Sequence, residues 1–159
     1  MTADAGLPPV ATIGYEGATV AGFLRALQAA RVDLLVDVRA LAMSRRPGFA
    51  KTRLAAHLAD AGIAYRHLRA LGTPADGRAA ARAGRHADMR AVFAAHLATP
   101  GAQAGLAELA ELVRAGRRVC LLCFEADPAH CHRALVAATL AERVPVDVAH
   151  LDPAAHDAE

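Results

Sequence analysis

The chain has no tryptophan, and its four phenylalanines and two tyrosines in 159 residues leave few platforms on which nucleic-acid bases could stack. No run approaches the roughly 20 consecutive apolar residues that a membrane helix requires, and residues 1–9 lack the basic and apolar regions of a signal peptide. The expectations are a cytoplasmic location and no membrane partner. Cysteine is scarce and odd in number: three, in a chain long enough to bury a core without staples, argue against a disulfide framework and fit a reducing compartment. Lysine is nearly absent, Lys51 being the only one, so the basic side is almost entirely arginine. The net charge of +2 means that any footprint for an anion or a nucleic acid is local rather than global. Repeats, linkers and breaks in composition are also missing. The reading is therefore one domain over 10–152, with flexible ends at 1–9 and 153–159.

What is present is an alternation of strands and helices. VATI (10–13) reads as a buried strand, and Thr19 can cap a helix whose stripe is Val20, Phe23, Leu24 and Leu27. VDLLVDV (32–38) is a second strand, nearly continuous in apolar residues, as strands buried on both faces are. A loop, ALAMSRRPGF, leads to a helix through Leu54 and Leu58 that Gly62 can end, and IAYRHL (63–68) follows as a third strand. Residues 71–84, rich in Gly, Ala, Pro and Asp, read as the least ordered stretch. Two helices come next, one through Met89, Val92, Phe93 and His96, the other through Leu106, Leu109, Leu112 and Val113. RVCLLCF (118–124) is the clearest strand, a helix over 128–142 follows it, and VDVAHL is the last strand. This order predicts an α/β fold: a single-domain three-layer sandwich on a mostly parallel sheet of about five strands.

Ligands of open α/β sheets bind outside the carboxyl ends of the strands, and the polar residues of this chain fall there. Tyr15 and Glu16 follow the first strand, Asp37, Arg39, Arg45 and Arg46 the second, His67 and Arg69 the third, and CFEADPAHCHR (123–133) the fourth; His150 ends the fifth. Cys120 and Cys123 have C-x-x-C spacing, but residues three apart on one strand face opposite sides and cannot share a metal or a disulfide. Cys123 and Cys131, with His130 or His132, can be brought together by the loop between them. They lack a second paired cluster of metal ligands, and no metal is assigned. Asp127 and Pro128 make a good helix start, which would put Cys131 near the fourth helical position, within reach of the helix dipole, Arg133 and the histidines. Arg39, Arg45, Arg46 and Arg133 can hold phosphate or carboxylate, or else pair with Asp37, Glu16 or Glu125. The stripe Arg78, Arg82, Arg85 and Arg90 reads as a solvated face.

In order, TIGYEG, LVDVRA with SRRPGF, AGIAYRHLRALG and LLCFEADPAHCHR resemble the blocks of a bacterial and archaeal family known as domain of unknown function 488. The resemblance implies that Tyr15, Glu16, Asp37, Arg39, Ser44, Arg45, Arg46, Pro47, Phe49, Tyr65, Cys123, Glu125, Cys131, His132 and Arg133 stand at the family's motif positions. One departure is Leu71-Gly72-Thr73, where members often continue with a second glycine. No reaction and no cofactor come with the resemblance.

The functional expectation is a polar site for a small anionic or phosphorylated ligand at the carboxyl edge of the sheet, in a hydrolase or transferase. Cys131 or His132 would be nucleophile or general acid/base, Glu125 or Asp37 would orient the histidine, and Tyr15, Glu16, Arg39, Arg45, Arg46, Cys123 and Arg133 would bind the ligand. The alternative is a non-catalytic nucleic-acid module whose arginines track phosphates. A pocket admitting one small molecule favours the first, an open groove continuous with the Arg78 to Arg90 stripe the second.

Overall fold

β1 (Val10–Gly14) and β4 (Val119–Cys123) are buried at every position and apolar at all but Thr12. Such runs suit strands covered on both faces, and both are interior strands of the sheet. The computed structural model describes residues 6–156. Its other strands are β2 (Leu34–Asp37), β3 (Ala64–His67) and β5 (Val148–Leu151), and the spatial order is β3-β2-β4-β1-β5 with every pairing parallel. The edge strands β3 and β5 contain exposed positions, as strands with one open side do.

Helices cover both faces. On one, α1 (Val20–Ala29) and α2 (Lys51–Asp60) pack Phe23, Leu27, Leu54 and Leu58 over Ile13, Leu35 and Leu122. On the other, α3 (Ala75–Arg82), α4 (His86–Leu97), α5 (Pro100–Arg114) and α6 (His132–Arg143) pack residues such as Phe93, Leu109 and Val136 over Val36 and Leu121. The result is a three-layer α/β sandwich. Local chemistry fits the boundaries. The Thr19 hydroxyl accepts from Gly22 N at 2.9 Å to cap α1, Thr99 and Pro100 open α5, and Gly62 takes a φ of 77° just past α2.

The winding positions the site. The chain runs from β1 to β2 to β3 through helices on one face and returns to β4 and β5 through helices on the other. β4 therefore lies between β1 and β2 but leaves toward the opposite layer, and crevices open on both sides of its carboxyl end.

Three expectations are corrected. Residues 71–84 contain α3, which reads poorly because its packed face is made of Gly77 and Ala80; a β-carbon at position 77 would overlap Thr73. The segment from residue 128 is not one helix. A 3-10 turn, Pro128–His130, is followed by Cys131 in extended conformation (φ −128°, ψ 145°), so Cys131 is the N-cap of α6 rather than its fourth residue. The tail from residue 153 continues as a 3-10 turn, Pro153–His156, whose last carbonyl accepts from Arg25 Nε and Nη2 at 3.0 and 2.8 Å. At the other end Leu7 packs against the core, while residues 1–5 and 157–159 lie outside the described residues.

Gly14 ends β1 where the chain after β4 crosses it, and a β-carbon there would overlap the Glu125 carbonyl and touch the Arg133 guanidinium. Gly14→Ala should therefore cost about 1–3 kcal/mol, as overpacking against backbone does. Urea denaturation checks this, and an unchanged midpoint would refute the close approach.

Candidate functional site

A cavity of about 880 Å³ opens at the carboxyl edge of the sheet, within the range of small-molecule sites. Its walls come from the ends of β1 (Tyr15, Glu16), β2 (Arg39 to Ser44) and β4 (Cys123 to Glu125), from α3 (Arg78, Arg82), the start of α4 (His86, Met89) and the first turn of α6 (His132). Glu16, Arg39 and Cys123 thus share one edge and one cavity.

The second strand contributes a buried ion pair. Asp37 is fully buried, and its carboxylate accepts from Arg39 Nε at 2.9 Å, Arg39 Nη2 at 2.7 Å, the Arg39 amide at 3.0 Å and the Tyr65 hydroxyl at 2.5 Å. The remaining arm of Arg39 donates to the Phe49 carbonyl at 2.8 Å and the Tyr15 hydroxyl at 3.2 Å. Tyr15 stacks on Phe49 with ring centroids 4.7 Å apart. Burial alone would lower the Arg39 pKa, but Asp37 outweighs it and holds the guanidinium charged, while burial and the hydrogen bond to Asp37 push the Tyr65 phenol up. Asp37 faces the α1/α2 layer, since Leu35 does and Val36 and Val38 face the other side. It therefore does not orient His132, whose Nε2 lies 2.6 Å from the Val38 carbonyl.

On the opposite face the fourth strand and α6 build a sulfur-rich floor. Cys123, Cys131 and His132 are buried, and their side-chain ligand atoms all lie within 4.8 Å of one another. His132 Nδ1 is 3.4 Å from Cys123 Sγ and 3.9 Å from Cys131 Sγ, and Phe93 meets the imidazole at 5.0 Å between centroids. Arg133 sets this arrangement. Fully buried, it donates from Nε to Thr12 Oγ1 at 3.1 Å, from Nη1 to the Glu125 carbonyl and from Nη2 to the Ala126 carbonyl at 3.2 Å. Thr12 also meets His150 Nδ1 at 2.5 Å. Burial on its own would raise the Cys131 thiol, but hydrogen bonds with Cys123 and His132 and the charges of His132 and Arg133 bring it well below its usual value. Cys123 is pushed up by burial and by the hydrogen bond and charge of Cys131. Burial would lower His132, and Cys131 more than offsets it, so the imidazole is raised. Glu125 is raised to about 7, first by burial and then by the negative charge of Cys131. The cluster thus favours negative charge on Cys131 over Cys123, beside a carboxyl group whose pKa is raised to about 7. Cys120, on the other face, is raised by burial and packs among Ile13, Leu35 and Leu122.

The residues singled out by sequence sort into three groups. Cys123, His132 and Glu125 come together at the cavity floor, with Cys131 buried behind them. Arg39 and Arg133 turn inward, and their hydrogen bonds go to the protein itself. Arg46 donates to the Ala18 carbonyl and its Nε is buried without a partner, while its amide meets Ser44 Oγ at 3.1 Å and Arg45 is exposed. Glu16 accepts from Ala126 N at 3.0 Å at the rim. Of the solvated stripe, Arg82, Arg85 and Arg90 are exposed, and Arg78 and Arg82 line the cavity as well, Arg78 also donating to the Thr73 carbonyl at 2.8 Å. Their four-residue spacing was the available signal. His86 and the exposed Met43 and Phe124 at the rim were not singled out as site residues, and His130, weighed beside the cysteines, instead stacks its ring on that of His86 at 4.0 Å.

Fold and site define a parallel α/β domain with a carboxyl-edge cavity floored by a cysteine and a histidine, a second cysteine being buried behind them. The chain belongs to the family described as domain of unknown function DUF488, whose model matches residues 19–140 of 159. That span takes in Asp37, Arg39 and the segment 123–133, and leaves out Tyr15, Glu16 and His150. No curated protein and no solved structure matches the chain. Among the described residues, no helix is long and apolar enough to cross a membrane.

Breaking the ion pair tests its role. Asp37→Asn strands the buried Arg39 charge and should cost about 3–5 kcal/mol. Chemical denaturation reads the loss, and a change below 1 kcal/mol would show that Arg39 is free to serve another anion.

Proposed function

We propose that the chain is an enzyme, a hydrolase or transferase, that takes one small ligand bearing an anionic group such as phosphate into the carboxyl-edge cavity. The observation that carries this reading is the convergence of Cys123, His132 and Glu125 on the floor of a cavity sized for one small molecule, with Cys131 buried behind them in the same cluster. In this reading the sulfur and imidazole groups hold or form the reacting nucleophile, and Glu125 moves a proton, its raised pKa suiting it to do so near neutral pH.

The anion is held differently from the sequence expectation. Arg39 and Arg133 serve the frame, and the cationic groups facing the cavity from α3, Arg78 and Arg82, take over the ligand. Leu41, Met43 and Phe124 add an apolar rim that suits a ligand with an organic body as well as a charge. Cavity size favours a small molecule over a nucleic-acid strand, which would need a groove running on past Arg85 and Arg90.

A thermal-shift screen of inorganic phosphate, sugar phosphates and nucleotides tests the reading. A saturating ligand, present at about a hundred times its Kd, should raise the melting temperature by roughly 5–10 °C. The joint Arg78→Ala and Arg82→Ala variant should lose most of that shift while melting normally without ligand. Stabilisation only by oligonucleotides, falling steeply with salt, would replace the enzyme by the nucleic-acid module. No shift with any of these compounds would end the anion reading.

A further inference from the structure

The distances within the floor carry a more specific inference about the same site. Tetrahedral coordination with bonds of about 2.3 Å to sulfur and 2.0–2.1 Å to nitrogen sets a thiolate and an imidazole ligand roughly 3.6 Å apart. The separations of His132 Nδ1 from Cys123 Sγ and Cys131 Sγ, 3.4 and 3.9 Å, straddle that value. The histidine is also prepared in the manner of a ligand. Its Nε2 is 2.6 Å from the Val38 carbonyl, an acceptor only, so Nε2 carries the hydrogen and the Nδ1 lone pair can face the two sulfurs. Phe93 packs against the ring and fixes its plane.

We propose that Cys123, Cys131 and His132 are three ligands of a zinc-like divalent cation whose fourth position opens into the cavity. Two thiolates and an imidazole are the donor set that suits zinc among common divalent metals. On binding, the Cys123 thiol and the Cys131–His132 pair each give up a proton to solvent, so that both sulfurs bind as thiolates and the imidazole in its neutral form. Among the described residues no fourth histidine, cysteine or carboxylate joins the cluster, and Cys123 and His132 both line the cavity. The remaining position therefore faces the space that a ligand would occupy and can hold a water or a ligand atom. The absence of a second paired motif, which argued against metal in the sequence, is what a three-ligand open site requires. Cys131 can join because the chain is extended there: as N-cap of α6 it stands beside His132 and across from the end of β4.

The inference rests on the location of the site proposed above and not on the reaction, and its test needs no substrate. Reduced protein stripped of metal is titrated with Co²⁺ and then with Zn²⁺. One Co²⁺ should bind per chain, with thiolate-to-cobalt charge-transfer bands and the visible bands of a four-coordinate centre, and Zn²⁺ should displace it. Added azide should perturb the visible bands through the open position. Cys123→Ser, Cys131→Ser and His132→Ala should each weaken Zn²⁺ binding by roughly 100-fold or more, whereas Cys120→Ala should not. Because ligand variants can unfold, the wild-type titration decides alone. No Co²⁺ bound, or binding without charge-transfer bands, overturns the metal site, and bands unmoved by azide overturn its open position. Either result leaves the thermal-shift screen free to succeed or fail independently.

Discussion

A buried guanidinium with no carboxylate beside it holds the site together. Arg133 is wholly enclosed beneath the first turn of α6, and its donors reach a hydroxyl on β1 and two carbonyls of the chain that leaves β4. Among the described residues it takes part in no ion pair. A buried charge must be hydrogen-bonded or matched by an opposite charge, and here hydrogen bonds fix the geometry while the unmatched charge favours an anion nearby. Cys131, two positions earlier, receives that influence. The same contact therefore shapes the loop that returns Cys131 to Cys123 and supplies part of the field that ionises a thiol.

Arg39 makes the opposite choice. Its carboxylate partner is two residues away, both oxygens of Asp37 are engaged, and the Tyr15 hydroxyl and Phe49 carbonyl take what is left. This closed network ties the end of β2 to the end of β1 and to the segment before α2, so it frames one wall of the cavity on the face away from the sulfur cluster. Two arginines of the same motif set thus act as frame by different means, one neutralised by a carboxylate and one held by carbonyls.

Much of the architecture was legible because burial imposes continuous apolar runs on β1, β2 and β4 and a helical stripe on α1, α2, α4 and α5. The carboxyl-edge placement of Cys123, Glu125 and His132 followed from that order alone. Three matters were not legible. Nothing in the spelling of Arg39 or Arg133 says whether a guanidinium turns inward, since that depends on which acceptors the fold brings within 3 Å. The helix α3 hid behind glycine and alanine because it packs closely on α4, and small residues chosen for proximity resemble residues chosen for turns. The kink at Cys131 was masked by an Asp-Pro start that caps a short 3-10 turn instead of α6 itself.

The strand order has a consequence for how the chain reaches this state. β4 pairs with β1 on one side and β2 on the other, and these two have no pairing with each other. Emerging from synthesis in chain order, the first three strands meet as a sheet with its centre missing, and they wait through three helices for the strand that joins them. Such non-local parallel pairing is slow, and incomplete sheets expose edges that other chains can occupy. The sulfur cluster is assembled only at this insertion, by residues from the end of β4 to the start of α6, so an intact site reports a filled sheet centre.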